Sequence, residues 1–253
     1  MSQDIKDPEI IKKIESNSWK GVQNIDFVPT SPMAVYNKEW KDFLLEESIK
    51  STCLNGKTVI NVGGGHGEEA EFLIKKGAEK VLLVDIAPEQ IKSAKIRKKD
   101  HKLHNLDVEV GDAENLACED DEFDLGFICM ALHHFPSHKK SITEICRVSG
   151  QVIFIDIMNS RLTKFLGIWG LFKEEWCGIE PNRLEKKLVT QIMRENYMKM
   201  KIKYFFYPPY SGNNIFLLKL IKLISRIING IIGFRVIASI FGNVVIIKRK
   251  RLL

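Results

Sequence analysis

No cysteine of the 253-residue chain sits in a CxxC pair or near a histidine at metal-ligand spacing, and the five present (Cys53, Cys118, Cys129, Cys146, Cys177) are odd in number. A disulfide framework and a structural zinc site therefore find no support, no metal is expected, and a reducing, cytoplasmic compartment fits the pattern. The N-terminal MSQDIKDPEIIKK lacks the apolar stretch of roughly 7–15 residues that a secretory signal needs, so export is not expected. Acidic residues are missing from the whole C-terminal region: none follows Glu195, while residues 196–253 hold eleven Lys or Arg. Residues 1–195 hold 27 basic against 32 acidic side chains, so a net charge of +6 conceals a basic segment of +11 beside a body of −5. Such a segment either faces something anionic or stays solvated.

What is present is a 45% apolar, 28% charged composition, that of a folded chain with a substantial core. Residues 1–50 read as a helical N-terminal cap: Ile10, Ile11 and Ile14 have helical spacing, a break follows at Val28-Pro29-Thr30-Ser31-Pro32, and a second helix runs through Trp40, Phe43, Leu44 and Leu45. From Lys57 short apolar runs alternate with helical segments, the βαβ rhythm of a parallel sheet covered on both faces. The runs are Val59–Val62, Val81–Val84, Leu106–Val110, Phe123–Cys129 and Val152–Ile155. Only 106–110 alternates, which predicts a strand near the sheet edge. After Asp156 come an aromatic stretch with Phe165, Trp169, Phe172 and Trp176, a charged helix over about 184–198, a β-like segment 199–207, a helical stretch over about 215–240 and a last strand Val244–Ile247. The expected organisation is a cap (1–50), a core (51–157), an insertion that could cover an acceptor (158–198), and a final pair of strands (199–253) interrupted by a basic amphipathic insertion at about 213–241.

Chemistry concentrates at three strand ends. VINVGGGHG at 59–67 is a strand entering a glycine loop and then a helix near Glu68; Gly63, Gly65 and Gly67 permit positive φ and close approach of main chain to a ligand. The third glycine comes one residue too early for the dinucleotide GxGxxG fingerprint, and Glu68 would oppose a pyrophosphate. Asp85 ends the second strand, before Ile86-Ala87-Pro88, where a carboxylate can accept both hydroxyls of a ribose. Gly111-Asp112-Ala113 ends the third, where a carboxylate and an amide could read the amino edge of adenine.

With these residues the sequence resembles the class I S-adenosylmethionine-dependent methyltransferases over roughly residues 36–156 and, more weakly, the last two strands. The resemblance implies an α/β, Rossmann-like, seven-stranded, mostly parallel sheet with helices on both faces, the N-terminal cap, and helical insertions before and after the sixth strand. It implies S-adenosylmethionine as cofactor, S-adenosylhomocysteine as product, and cofactor contacts from Asn61, Gly63, Gly64, Gly65, Gly67, Asp85, Ile86, Asp112, Ala113 and Met130. Asp85 would hold the ribose hydroxyls, Asp112 the adenine amino group and Ala113 a ring nitrogen. VDIAPEQIKSAK at 84–95 and EFDLGFICMALHHF at 122–135 match further motif regions. Asn61 departs from the family's usual Asp or Glu, losing the charge that a cationic sulfonium and ammonium favour, a loss that Glu68 or Glu69 could offset.

At the end of the fourth strand, Met130-Ala131-Leu132-His133-His134-Phe135-Pro136 offers His133 and His134 as general bases, or as residues that shape the turn and line the pocket. Asp124 reads as a strand opener, and Glu174-Glu175 as a chance pair. Nucleic acid is disfavoured: no Asp/Asn-Pro-Pro-aromatic turn follows the fourth strand, the Tyr207-Pro208-Pro209-Tyr210 run lies elsewhere, and no Pro-Cys pair exists. Lys219, Lys222 and Arg226 fall on one helical face amid Leu and Ile, without the charge-free run of about 18 residues that a spanning helix needs. That segment reads either as a contact with an anionic membrane surface, which would make the protein peripheral to the inner face of a membrane, or as a lid or dimer helix. The expected function is methyl transfer to a small, partly apolar or lipid-like molecule. The alternatives are an RNA methyltransferase using the basic segment, a non-catalytic cofactor-binding protein and a nicotinamide-dependent oxidoreductase.

Overall fold

The computed structural model describes residues 7–20, 32–158, 182–195, 198–206, 214–231 and 244–251. Seven strands, β1 (Thr58–Val62), β2 (Lys80–Asp85), β3 (Leu106–Val110), β4 (Phe123–Cys129), β5 (Ser149–Ile157), β6 (Met198–Phe205) and β7 (Val244–Arg251), form one sheet in the order β3-β2-β1-β4-β5-β7-β6. β1 to β5 are mutually parallel, and β7 runs antiparallel to both β5 and β6. This is the mostly parallel α/β sheet that the apolar runs predict. β3 lies at the edge, as its alternation predicts: Leu106 is buried while Val110 is 56% exposed. The chain leaves β1 toward β2 and β3, then returns across the sheet to β4, so the crevice between the carboxyl ends of β1 and β4 is the topological switch point where such sheets bind ligands.

Two strands run well beyond the apolar runs that predict them. β5 starts at Ser149, three residues before its apolar run, because Ser149 is already paired with Phe123 of β4. β7 continues past Ile247 to Arg251, since the ladder to β5 and β6 is made by main chain and tolerates basic side chains. Lys248 is accommodated by donating to the hydroxyls of Ser51 and Thr52.

Helices cover both faces. The N-terminal cap is α1 (Pro8–Ser18) and α2 (Pro32–Ile49), and α3 (Glu68–Lys75) and α4 (Pro88–Asp100) follow β1 and β2. Together α2, α3 and α4 bury Leu44, Leu45, Leu73, Ile91 and Ala94 against one face of the sheet. On the other face α5 (His138–Val148) and α6 (Lys186–Glu195) bring Ile142, Ile145, Val189 and Ile192 onto Ile60, Ile128 and Phe154. α7 (Ile215–Ile231) packs against α2. Each start signal acts locally: Asp7 caps α1 by accepting from Glu9 N, Pro88 opens α4, and Ser137 caps α5 by accepting from Lys140 N.

Behind the glycine loop, α3 and α4 are clamped by a buried ion cluster. Arg97 Nη1 donates to Glu71 Oε2 at 2.8 Å, Lys75 Nζ and His101 Nδ1 reach Glu71 Oε1 at 2.6 and 2.8 Å, and Arg97 Nε donates to the His66 carbonyl at 3.0 Å. Burial works against the Glu71 charge, but Lys75, His101 and Arg97 outweigh it and lower the carboxyl from 4.5 to about 2. This contribution to stability is complete above the ordinary carboxylate range and is lost as pH falls toward 2. Arg97→Ala is expected to lower the free energy of urea unfolding at pH 7 by about 3 kcal/mol, because it strands part of a buried charge. The difference from wild type should shrink at pH 3.

Candidate functional site

Three turns at the carboxyl ends of β1, β2 and β3 meet the β4 turn in one crevice of about 270 Å³. Gly63, Gly64 and Gly65 form one wall, Asp85 and Ile86 the second, Asp112 and Ala113 the third, and Met130 and His134 the fourth. At its first two glycines the loop has no room for a side chain. Gly63 has φ +66° with its amide donating to Val84 O at 2.8 Å, and an added Cβ there would lie 2.6 Å from Ala131 Cβ. At Gly64 a Cβ would come within 2.5 Å of Asn61 Oδ1 and 2.7 Å of Leu83 Cγ.

Asp85 ties two walls together. Its Oδ2 accepts the Gly65 N–H and its Oδ1 the Ala87 N–H, both at 2.9 Å. Burial pushes the carboxyl above its ordinary value, opposed by those two amides. Each carboxylate oxygen still has capacity for a second donor from the crevice. Gln90, in the first turn of α4, also lines the crevice and is only 3% exposed, and its Oε1 has no hydrogen-bond partner. A buried acceptor left open at a ribose-sized position invites a ligand hydroxyl or amine.

The N-terminal cap expected from the sequence also supplies side chains to the crevice that sequence reading did not assign. Lys12, Glu15 and Trp19 of α1 and the residue after it line the crevice, as does Lys41 of α2. Lys12 Nζ bridges Asp112 Oδ2 at 2.8 Å and Glu114 Oε2 at 3.1 Å. Partial burial opposes the ammonium charge, but bonds to Asp112, Glu114 and Glu9 raise its pKa. Asp112 therefore faces the crevice already holding a cation, with its Oδ1 accepting from Glu114 N at 2.8 Å. Lys41 Nζ lies 2.7 Å from both Glu68 Oε2 and Glu69 Oε1. Burial would lower Lys41, yet the two glutamates raise it, and Glu68 is held ionised by His66 and Lys41.

Three of the expected site residues lie off the crevice lining. Asn61 is 0% exposed beneath the loop, where its Nδ2 donates to Phe127 O at 3.3 Å, so it supports the glycines and does not line the crevice. Gly67 has φ +91° as the residue preceding α3 and lies against Ala94 and Arg97, outside the lining. His133 is 6% exposed and its Nδ1–H donates to Asp156 Oδ1 at 2.6 Å, so it props the turn from behind. Burial disfavours the Asp156 charge, but His133 and the Ile157 amide lower its carboxyl pKa, which leaves it the acceptor. His134 is the histidine that faces the crevice. Its Nδ1 is 3.1 Å from Glu15 Oε1 and its ring stacks on His133 with centroids 4.2 Å apart. In the neutral ring, Nδ1–H given to Glu15 leaves the lone pair on Nε2. Met130 beside it has φ +51°, a costly conformation for a side chain with Cβ, at the junction of β4 with the turn.

Cys129 lines the same crevice, but burial drives its thiol well above 9.0, so it is not a thiolate nucleophile there. Asp124 opens β4 by accepting from Lys57 Nζ and Thr58 N, at the opposite end of the strands. The aromatic stretch with Phe165, Trp169, Phe172 and Trp176, the Glu174-Glu175 pair, and Tyr207–Tyr210 lie outside the described residues. Among the described residues no group of His, Cys, Asp and Glu is arranged to hold a metal.

Residues 60–154 match the family described as "Methyltransferase domain". A phthiotriol/phenolphthiotriol dimycocerosates methyltransferase of Mycobacterium tuberculosis is 35% identical over 106 residues, 42% of this chain and 38% of its own length. The chain spans less than half the length of the curated relatives it matches. Among solved structures, the YcgJ protein of Bacillus subtilis superposes with a TM-score of 0.62 at 17% identity, covering 85% of this chain and 99% of that one. A geranyl diphosphate C-methyltransferase of Streptomyces coelicolor superposes with a TM-score of 0.66 at 11% identity, covering 96% and 98%.

The loop geometry separates two glycines by mechanism. Gly65→Ala, whose Cβ meets nothing nearer than Gln90 Oε1 at 3.5 Å, is expected to cost about 1 kcal/mol through its positive φ alone. Gly64→Ala, which collides with Asn61 and Leu83, is expected to cost about 3 kcal/mol. Denaturant unfolding of the two variants reads the difference, and equal losses would contradict the close packing under the loop.

Proposed function

We propose, from the premise that the chain carries a class I S-adenosylmethionine-dependent methyltransferase domain over residues 60–154, that it transfers the methyl group of that cofactor to a small, partly apolar, lipid-like acceptor. The observation that carries this is the convergence of bare main chain at Gly63–Gly65, the carboxylate of Asp85 and the Asp112-Ala113 turn on one crevice. The residues fit the cofactor: at Gly65 the main chain is bare, with only Gln90 Oε1 within 3.5 Å of where a Cβ would sit, and that buried Oε1 has no donor from the protein.

When bound, S-adenosylmethionine supplies a methyl group already activated by its sulfonium. The protein's own work is then to bind, orient and accept a proton. Asp85 would accept the ribose hydroxyls, its position fixed by Gly65 and Ala87. Asp112 and Ala113 would meet the adenine edge, with Lys12 Nζ fixing Asp112 through its Oδ2. Lys41 and Glu69 would pair with the carboxylate and ammonium of the amino-acid end, which offsets the charge missing at Asn61. His134 Nε2 would take the proton of a hydroxyl or amine acceptor. An apolar acceptor is supported by Trp19, Met130, Ala131 and Phe135 on the lining, and by relatives and neighbours whose names specify dimycocerosate and geranyl diphosphate substrates.

Calorimetric titration with S-adenosylhomocysteine tests the site: Asp85→Ala should weaken binding by roughly 10- to 100-fold through lost hydrogen bonds to a charged acceptor. An unchanged Kd would remove the assignment. Because the Asp85 carboxyl is raised and must be ionised to accept both hydroxyls, affinity should also fade as pH falls through that raised range. On a panel of long-chain alcohols and amines, His134→Gln should lower kcat about 100-fold while leaving S-adenosylhomocysteine affinity within about twofold. A parallel loss of affinity would make His134 a structural residue.

A further inference from the structure

α7 is the one described helix that turns a row of large apolar side chains to solvent. Phe216 is 79% exposed, Leu223 55%, Ile227 53%, and Leu217, Leu220 and Ile224 are each more than 40% exposed. On a helix of 3.6 residues per turn these six positions form a continuous stripe about 120° wide. Single exposed leucines need no explanation, but a contiguous patch of this kind marks a contact surface.

The stripe faces outward because the opposite side of the helix is pinned. Asn229 accepts from the Phe206 N–H at 2.7 Å and donates to the Phe206 carbonyl at 3.2 Å, which fastens α7 to the end of β6. Ser225 is 1% exposed, and Lys222 Nζ bridges Glu39 of α2 at 2.5 Å. Asn229 lies diametrically across the helix from the centre of the stripe, so the helix cannot bury its apolar face on its own sheet without breaking these bonds.

Charge selects the occupant. Lys219 and Arg226 are exposed along one edge of the stripe, in a segment where residues 196–253 contain eleven cations and no acid. On the same face of the sheet as α2, the edge strand β6 exposes Lys201 and Lys203. Below the cationic edge, Trp40 and Phe43 of α2 floor a recess of about 390 Å³ whose rim carries Arg226 and the Lys222–Glu39 ion pair. A second copy packed antiparallel on the stripe would set cations against cations, and one packed parallel would leave them without an acidic partner in a segment that holds none, whereas an anionic bilayer complements both the apolar stripe and its edge. Among the described residues no helix is long and apolar enough to cross a membrane, and α7 at 17 residues suits lying along one.

We propose that α7 is an interfacial helix that docks the protein on an anionic lipid surface, with Phe216, Leu220, Leu223 and Ile227 entering the acyl boundary and Lys219 and Arg226 meeting phosphate headgroups. α2 then joins the two sites: Trp40 floors the recess beside the helix, and Lys41, the next residue, lines the crevice.

Sedimentation with sucrose-loaded vesicles tests this on the full chain, and it needs neither cofactor nor acceptor, so its result is independent of the methyl-transfer reading. Wild type should partition onto phosphatidylglycerol/phosphatidylcholine vesicles far more than onto pure phosphatidylcholine, and less at 0.5 M salt. Lys219→Gln/Arg226→Gln should lower the partition coefficient roughly 30-fold, at the usual contribution of each cation near such a surface. Leu220→Asp/Leu223→Asp should abolish binding while leaving the thermal midpoint unchanged, since both positions are exposed. No partitioning, or partitioning that ignores both double variants, overturns the proposal. So does a concentration-dependent dimer in sedimentation velocity that the Asp variant dissolves without any vesicle binding, which would assign the stripe to a second copy.

Discussion

The carboxylate of Asp85 holds the site together. By accepting the Gly65 amide from the β1 loop and the Ala87 amide from its own turn, it sets the separation of two walls of the crevice. Because each amide takes one lone pair of a different oxygen, the outward pair of acceptor positions is left aimed in a defined direction. The group proposed to take the ribose diol is therefore also the group that builds the recess, and burial of its charge shows in its raised pKa. A loop of glycines alone would have many conformations, and the carboxylate selects one.

Around that knot the structure arranges charge in paired layers. Behind the loop, Arg97 and Glu71 neutralise each other in the core and hold the His66 carbonyl. In front of it, the cap brings two lysines over a rim rich in acid: Lys12 between Asp112 and Glu114, Lys41 between Glu68 and Glu69. The −5 charge of residues 1–195 is thus spent partly within the crevice, where carboxylates without these lysines would repel one another at close range. The cap is consequently a component of the site as well as a cover, and its position depends on ion pairs that salt and pH both weaken.

The +11 segment is used differently. Among its described cations, Lys201 and Lys203 lie on the edge strand β6 and Lys219, Lys222 and Arg226 on α7, so the basic part meets the acidic body at α2, which lines both the crevice and the recess beside α7. Lys222 and Lys203 reach Glu39 and Glu47 of α2, which anchors the basic part to the acidic body, while Lys219 and Arg226 remain at the surface. Apolar area on the outside of a helix whose inside is satisfied by hydrogen bonds is an arrangement that water alone does not favour.

How much of this was legible in the sequence follows from the range of each interaction. The strands, the edge position of β3, the helix starts at Glu68 and Pro88, and the crevice-facing turns at Gly63–Gly65, Asp85 and Asp112 are written in neighbouring residues. Periodicity, glycine conformation and the chemistry of a strand end are all local properties. Asn61, Gly67 and His133 sit in the right motifs yet point elsewhere, because which side of a turn a residue faces depends on what packs behind it: Phe127, Arg97 and Asp156 respectively. Lys12, Glu15, Trp19, Lys41 and Gln90 carried no local signal that could separate them from ordinary helix surface, apart from the nearness of Gln90 to Asp85. The pairing of Lys12 with Asp112 spans 100 residues and that of His134 with Glu15 spans 119. What the sequence determined by itself was the sheet and the chemistry at its strand ends. Only the tertiary structure decided which side chains close the crevice and which face of α7 meets solvent, since those outcomes depend on contacts between segments that the chain brings together only once it has folded.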